Sequence, residues 1–175
     1  HQSLLQDGRN AFAGGEMDTL SETARHYLGG LIECSRELSS FCTPNVNSYR
    51  RPSPELWAPT NCSWGYDNRQ AAVRVITIDQ DASRLEYRRP GADLNPYLSI
   101  AACIDSGLHG IANEIEPSEP SVGPAYADES IGDEARAVIE LELQAPRADG
   151  YRLARREWLF WRWPHALTRP NWHLR

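Results

Sequence analysis

Ala71-Ala72-Val73-Arg74-Val75-Ile76-Thr77-Ile78, followed by Ser83-Arg84-Leu85-Glu86-Tyr87, is the stretch that decides how this chain folds. Both segments read as β-strands: the first is rich in β-branched residues, the second alternates. Successive side chains of a strand point to opposite faces. Arg84, Glu86 and the following Arg88 therefore share one face, and Leu85 and Tyr87 share the other.

Outward from these strands, the densest chemistry lies between positions 50 and 89. Seven arginines fall there (Arg50, Arg51, Arg69, Arg74, Arg84, Arg88 and Arg89), and that stretch contains no lysine. A guanidinium presents a planar fork of donors that suits carboxylate and phosphate oxygens. Several on neighbouring strands make a pocket for a polyanion such as ATP. The triplet Arg84-x-Glu86-x-Arg88 adds a carboxylate between two cations, a ligand for a divalent metal if other carboxylates converge on it. Phosphoryl transfer uses such a combination, because cations neutralise charge that develops on phosphate oxygens. On pattern alone two other readings stay open. Alternating Arg and Glu also describe a solvated face with weak cross-strand pairs, and Tyr66 and Tyr87 among arginines could stack on RNA bases.

The remaining chain frames this region. Residues 1–15 contain Gly8, Gly14 and Gly15 and read as turn or loop. Ser21 is placed to cap a helix whose apolar face is Leu28, Leu31, Ile32 and Leu38, and Gly29-Gly30 inside it implies close backbone packing or a break. Pro44, Pro52, Pro54 and Pro59 forbid a regular element over 44–59 and point to a long functional loop. Residues 96–111 read as a buried helix. Residues 113–133 form a spacer rich in Pro, Glu and Ser, residues 134–143 a strand or short helix, and the chain ends among Trp158, Trp161, Trp163 and Trp172 interleaved with arginines.

With 175 residues the chain suits one domain, and its 18 basic against 24 acidic residues give a net charge of −6. That balance argues against a nucleic-acid partner. No apolar run reaches the roughly 20 residues of a membrane span, so neither a membrane partner nor a signal peptide is expected. Cys34, Cys42, Cys62 and Cys103 form no CxxC pair and read as mostly buried free thiols of a reduced, cytoplasmic compartment. Without a signal peptide, the glycosylation pattern at Asn61-Cys62-Ser63 is noise.

Taken in order, Asn47-Ser48-Tyr49-Arg50-Arg51, Trp64-Gly65-Tyr66-Asp67-Asn68-Arg69, Arg84-Leu85-Glu86-Tyr87-Arg88 and Asn95-Pro96-Tyr97-Leu98 resemble the C-terminal part of the catalytic domain of the glutamine synthetase family. Ser21 to Gly30 and Gly107-Leu108-His109-Gly110-Ile111 fit the same resemblance. It covers residues 1–116 and leaves 117–175 as a divergent acidic spacer and Trp/Arg-rich tail. The implied fold is α+β, a curved antiparallel sheet backed by helices.

The resemblance implies roles for single residues. His1 resembles the second His of a His-x-His motif that contacts the amino-acid substrate, and Ser3 a serine on the nucleotide side. Arg51 matches the arginine that holds substrate glutamate. Arg69 and Arg74 match arginines at the phosphates of ATP and of the acyl-phosphate intermediate, and Arg84 a nucleotide-binding arginine. Glu86 matches a ligand of Mg²⁺ or Mn²⁺, and Arg88 an arginine that orients the reacting carboxylate. The family phosphorylates the γ-carboxylate of glutamate with ATP and lets an amine displace phosphate. It does so in a funnel at a subunit interface of a ring-forming homo-oligomer, of which this chain would hold one wall.

One departure bears on the amine. Ammonia-using members carry a glutamate just before Ala-Pro in the loop after the Asn-Ser-Tyr motif, and here Trp57 precedes Ala58-Pro59. Trp cannot act as a base and offers an apolar or cation–π surface. Together with Trp64 to Arg69, it resembles the branch that makes γ-glutamyl amides of putrescine and other polyamines. The rival expectation is an inactive remnant of the family that serves as a structural or interaction module.

Overall fold

The computed structural model describes residues 1–16, 19–45, 48, 51–52 and 56–125. The expectations for 134–143 and for the Trp/Arg tail lie outside the described residues.

The first residues hold more structure than a loop. Strands β1 (Leu5–Gln6) and β2 (Arg9–Asn10) pair antiparallel around Asp7-Gly8, both in the left-handed region at φ 51° and 77°. Two successive positive φ values match the right-handed twist of the flanking strands, which is why Asp-Gly makes a tight hairpin.

Helix α1 (Glu22–Glu33) starts at Ser21, whose Oγ accepts from the Ala24 amide at 3.1 Å. Ser21→Ala removes that acceptor, and we expect a loss of about 1 kcal/mol in urea unfolding of the chain; an unchanged midpoint would show that the cap carries no weight. The Gly29-Gly30 pair does not break the helix. A Cβ on Gly30 would lie 2.1 Å from the Ser106 carbonyl oxygen and 2.7 Å from the Gly110 nitrogen, and one on Gly29 would lie 2.0 Å from the Ile115 oxygen. Close backbone contact is thus the reason for the glycines. The interruption falls instead at Cys34, after which α2 (Ser35–Cys42) begins. Ser35 Oγ donates to the Leu31 carbonyl at 2.8 Å, a back-bond of the kind that bends helices.

Strands β3 (Trp64–Tyr66), β4 (Val73–Ile76) and β5 (Arg84–Tyr87) form one sheet in that order. The α+β class is as expected. The β4–β5 pairing is antiparallel, whereas β3 and β4 run parallel. Parallel neighbours usually need a long crossover. Here the left-handed Asp67 and a turn in which the Gln70 amide donates to Asn68 Oδ1 loop the chain back within the connection. Beyond β5, Gln2 and Leu85 exchange backbone hydrogen bonds of 2.8 and 2.9 Å, so the first residues lie along the outer edge of β5.

Helix α3 (Pro96–Ala112) is capped by Asn95, whose Oδ1 accepts from the amides of Tyr97 and Leu98, with proline in the first turn. The expected buried helix proves one-sided. Its buried face is Ser99, Ala102, Cys103, Ser106, Gly107 and Gly110, while Tyr97 is 85% exposed and Ile100 and Ile104 also face outward. The backbone contact with α1 admits only small side chains, and Gly107 lies against the Tyr27 ring. Large apolar residues are therefore turned away from the α1 side.

Leu28, Leu31, Leu38, Val73, Val75 and Leu85 fill the core with Phe12 and Tyr27, whose rings sit 5.2 Å apart. All four cysteines are buried free thiols, as expected. After α3 the chain lies along β3: Trp64 Nε1 donates to the Ser118 carbonyl at 2.6 Å, and the Ser121 amide donates to the Trp64 carbonyl at 2.8 Å. Among the described residues no helix is long and apolar enough to cross a membrane.

Candidate active site

The site grows from the alternation of β5. Leu85 and Tyr87 are buried beneath the sheet, which leaves Arg84, Glu86 and Arg88 on its open face. The register sets Arg74 of β4 opposite Glu86. On the other side, the Gln2–Leu85 bridge aligns His1 with Glu86 and Ser3 with Arg84.

Glu86 is the centre. Its Oε2 accepts from Arg74 Nη1 at 3.0 Å and its Oε1 from Arg88 Nη1 at 3.1 Å. His1 Nε2 lies 4.0 Å from Oε1. Arg84 Nε donates to His1 Nδ1 at 3.3 Å and Arg84 Nη1 to the Ala82 carbonyl at 2.8 Å. Arg88 also reaches the loop before the sheet, where its Nη2 donates to the carbonyl of Trp57 at 3.2 Å. Trp57 is 58% exposed and holds φ +53°, a left-handed conformation that a bulky residue adopts only at a cost of order 1 kcal/mol or more. Such strain persists where the surroundings enforce it.

His1, Arg74, Arg84, Glu86, Arg88 and Trp57 are thus joined in one network. The other candidates stand differently. Ser3 is exposed on the same edge, and Arg69 is exposed in the turn after β3. Arg51 donates from Nη1 to the Arg89 carbonyl at 2.9 Å and from Nη2 to the Arg88 carbonyl at 3.0 Å, tying the loop to the end of β5. Burial, then the like charge of Arg88, lowers the Arg51 pKa from its ordinary value. Near it, Ser48 Oγ and Asn45 Nδ2 donate to Asp93 at 2.6 and 3.2 Å and hold that carboxyl below its usual range. A cleft of about 240 Å³ beside Phe41, Asn45, Asp93, Asn95 and Leu98 contains none of the sequence candidates.

One member of the network had no role in the sequence reading. Asp67 Oδ1 accepts from Arg74 Nε at 2.8 Å and also from Nη2. The available signal was an acidic residue at a left-handed turn directly after a strand.

Chemically, three guanidiniums (Arg74, Arg84 and Arg88) face two carboxylates (Asp67 and Glu86), an arrangement that favours anions. A divalent cation fits less well. Both Glu86 oxygens are engaged by guanidiniums, and among the described residues no three His, Cys, Asp or Glu side chains could together hold a metal ion. The described residues do not complete such a site.

The family described as glutamine synthetase, catalytic domain, matches residues 1–141. The chain is 47% identical over 128 residues to a glutamate–isopropylamine ligase of a Pseudomonas species, covering 72% of this chain and 28% of that protein. It is 45% identical over 127 residues to a gamma-glutamylethanolamide synthetase of Streptomyces coelicolor, covering 72% and 27%. It is 37% identical over 154 residues to a glutamine synthetase of Neisseria gonorrhoeae, covering 85% and 33%. The chain therefore spans about a quarter to a third of the length of these relatives.

Proposed function

The chain belongs to the glutamine synthetase family, and on that premise we propose that it forms one wall of a longer, homo-oligomeric ATP-dependent ligase. That enzyme joins the γ-carboxylate of glutamate to an amine larger than ammonium. The observation that carries this reading is the Arg74–Glu86–Arg88 network on an open sheet face, closed on one side by the Trp57 carbonyl.

In the first step a γ-carboxylate oxygen of glutamate attacks the terminal phosphorus of ATP, and ADP leaves. In the second, the amine nitrogen attacks the acyl carbon, phosphate leaves, and the nitrogen gives up a proton. Both steps place negative charge on phosphate oxygens, and fixed guanidiniums stabilise it without reorganising. Ser3, Arg69, Arg74 and Arg84 serve the nucleotide phosphates in this scheme. His1, Arg51 and Arg88 serve glutamate, and Glu86 would lend a carboxylate to Mg²⁺ or Mn²⁺ only where further carboxylates converge on it, an ion that would neutralise phosphate charge.

Trp57 is the argument for an organic amine. The residue is exposed and its main-chain carbonyl accepts from Arg88, and an indole can cover an alkyl chain or an ammonium face but cannot take a proton. Two relatives carry names built on isopropylamine and on an ethanolamide, in line with an amine bearing carbon; a polyamine such as putrescine belongs to the same class. Assayed as the full-length protein with ATP and glutamate, we expect kcat/KM for isopropylamine, ethanolamine or putrescine at least tenfold above that for ammonium. In Trp57→Glu that ratio should fall by about tenfold. Preference of the wild type for ammonium would overturn the assignment.

A second reading rests on a specific observation: two Arg51 donors are engaged by backbone carbonyls, and among the described residues no three His, Cys, Asp or Glu side chains could together hold a cation. A non-catalytic remnant would bind no ATP and would associate stably with a larger protein. Metal-dependent ATP binding separates the two.

A further inference from the structure

We propose that Asp67 is the positioning residue that sets the Arg74 guanidinium, so that one edge of its fork is presented to paired phosphate or acyl-phosphate oxygens. The identity of that ligand rests on the ligase reading above; the positioning rests on geometry alone.

Asp67 comes directly after β3. Its amide donates to the Val75 carbonyl at 2.8 Å, one step beyond the Tyr66–Val75 pair, and its φ of +47° turns the chain across β4. Aspartate tolerates this left-handed conformation better than most residues, because its short polar side chain bonds locally. The carboxylate thereby reaches Arg74 from the β3 side, while Glu86 reaches it from β5.

A guanidinium has five N–H groups. Asp67 takes the one on Nε and one on Nη2, and Glu86 takes one on Nη1, leaving two donors on Arg74. With carboxylates on both flanks the planar group cannot turn about its own stem. Arg74 is 15% exposed, so a ligand reaches it only at its open edge, whereas Asp67 is 66% exposed and stands outside it. Burial works against the Arg74 charge, and the hydrogen bonds to Asp67 and Glu86 more than offset it, so its pKa lies above the ordinary value. The preorganisation matters because an arginine that must first find its orientation stabilises a transition state less than one already set. Asp67 itself touches no reacting atom in this scheme.

Two measurements test the clamp. In the 175-residue chain, the Nε–H proton of Arg74, identified by NMR through its loss in Arg74→Lys, should exchange with solvent slowly. In Asp67→Asn that exchange should be at least tenfold faster with an unchanged melting temperature, and Asp67→Glu should restore part of the protection. Equal exchange in wild type and Asp67→Asn would overturn the proposal. In the full-length protein, Asp67→Asn should raise KM for ATP about tenfold and leave KM for glutamate unchanged; equal rises in both would also overturn it. If wild type turns over no ATP with glutamate and any amine tested, the ligase reading fails, and the exchange measurement alone decides the clamp.

Discussion

Replacing Gly30 by alanine will destabilise the chain by on the order of 3 kcal/mol, although alanine is the better helix former. The two effects have opposite signs, so the experiment separates them. Propensity alone predicts that Gly→Ala inside α1 stabilises by about 1 kcal/mol. Packing predicts the reverse. The new Cβ would stand 2.1 Å from the Ser106 carbonyl oxygen, 2.7 Å from the Gly110 nitrogen and 2.8 Å from the Gly110 Cα. All three are backbone atoms of α3, so no side chain can swing aside; the helices must move apart. That opens the contacts of Tyr27 with Gly107 and loosens the core around Leu28 and Leu31. Overpacking of this kind costs about 1–3 kcal/mol, and more where backbone must shift. At roughly 2–4 °C per kcal/mol for a chain of this size, the melting temperature should drop by about 10 °C. A midpoint unchanged or raised would show that the helices are not in this contact. Gly110→Ala should behave alike, because its Cβ would meet the His26 oxygen at 2.1 Å.

On the proposed ligase reading, Glu86→Gln will cut turnover of the longer protein by about 10²-fold or more while leaving the fold in place. The glutamine fills the same volume but brings no charge and can no longer accept from both Arg74 and Arg88 as a carboxylate does. Those guanidiniums then repel one another across the gap and turn to solvent, and the fixed donor array is lost. Removing one preorganised element of such an array costs about 10²–10³ in kcat. The stability change should be moderate, about 1–3 kcal/mol, since the paired groups keep only 15–19% of their surface in water and both guanidiniums lose a charged acceptor. Steady-state kinetics and thermal melting of the same variant decide it: activity within threefold of wild type would remove Glu86 from the chemistry, and collapse of the melting temperature would make it structural.

The parts of this molecule that were legible in its sequence are those governed by local rules. Ser21 announced α1, and Leu28 and Leu31 its buried face, because capping and helical spacing act within a few residues. The alternation of β5 placed Arg84, Glu86 and Arg88 on one face, and the structure confirms that face. The Asp7-Gly8 hairpin was equally legible, since the pair is a strong turn signal; the reading of residues 1–15 as turn or loop gives the turn but not its two short strands. Features set by distant partners stayed hidden. The apolar content of α3 suggested burial, yet the contact distance to α1 admits only small residues, so its large side chains face outward. The parallel pairing of β3 with β4 depends on a left-handed turn that no periodicity encodes. Arg51 bears a site residue's chemistry, but its observed partners are main-chain carbonyls of Arg88 and Arg89, which sequence cannot rank against a ligand.

The bridge between Gln2 and Leu85 has a further consequence. A strand edge with unpaired amides and carbonyls is a template on which other chains can assemble. Here the outer edge of β5 is sealed at Leu85 by a reciprocal pair of backbone hydrogen bonds to Gln2. A competing extended peptide that displaced Gln2 would carry His1 away from Glu86 and Arg84 as well. Strand addition at that edge therefore also removes His1 from the charged face, while the Arg74, Glu86, Arg88 and Asp67 pairs stay in place.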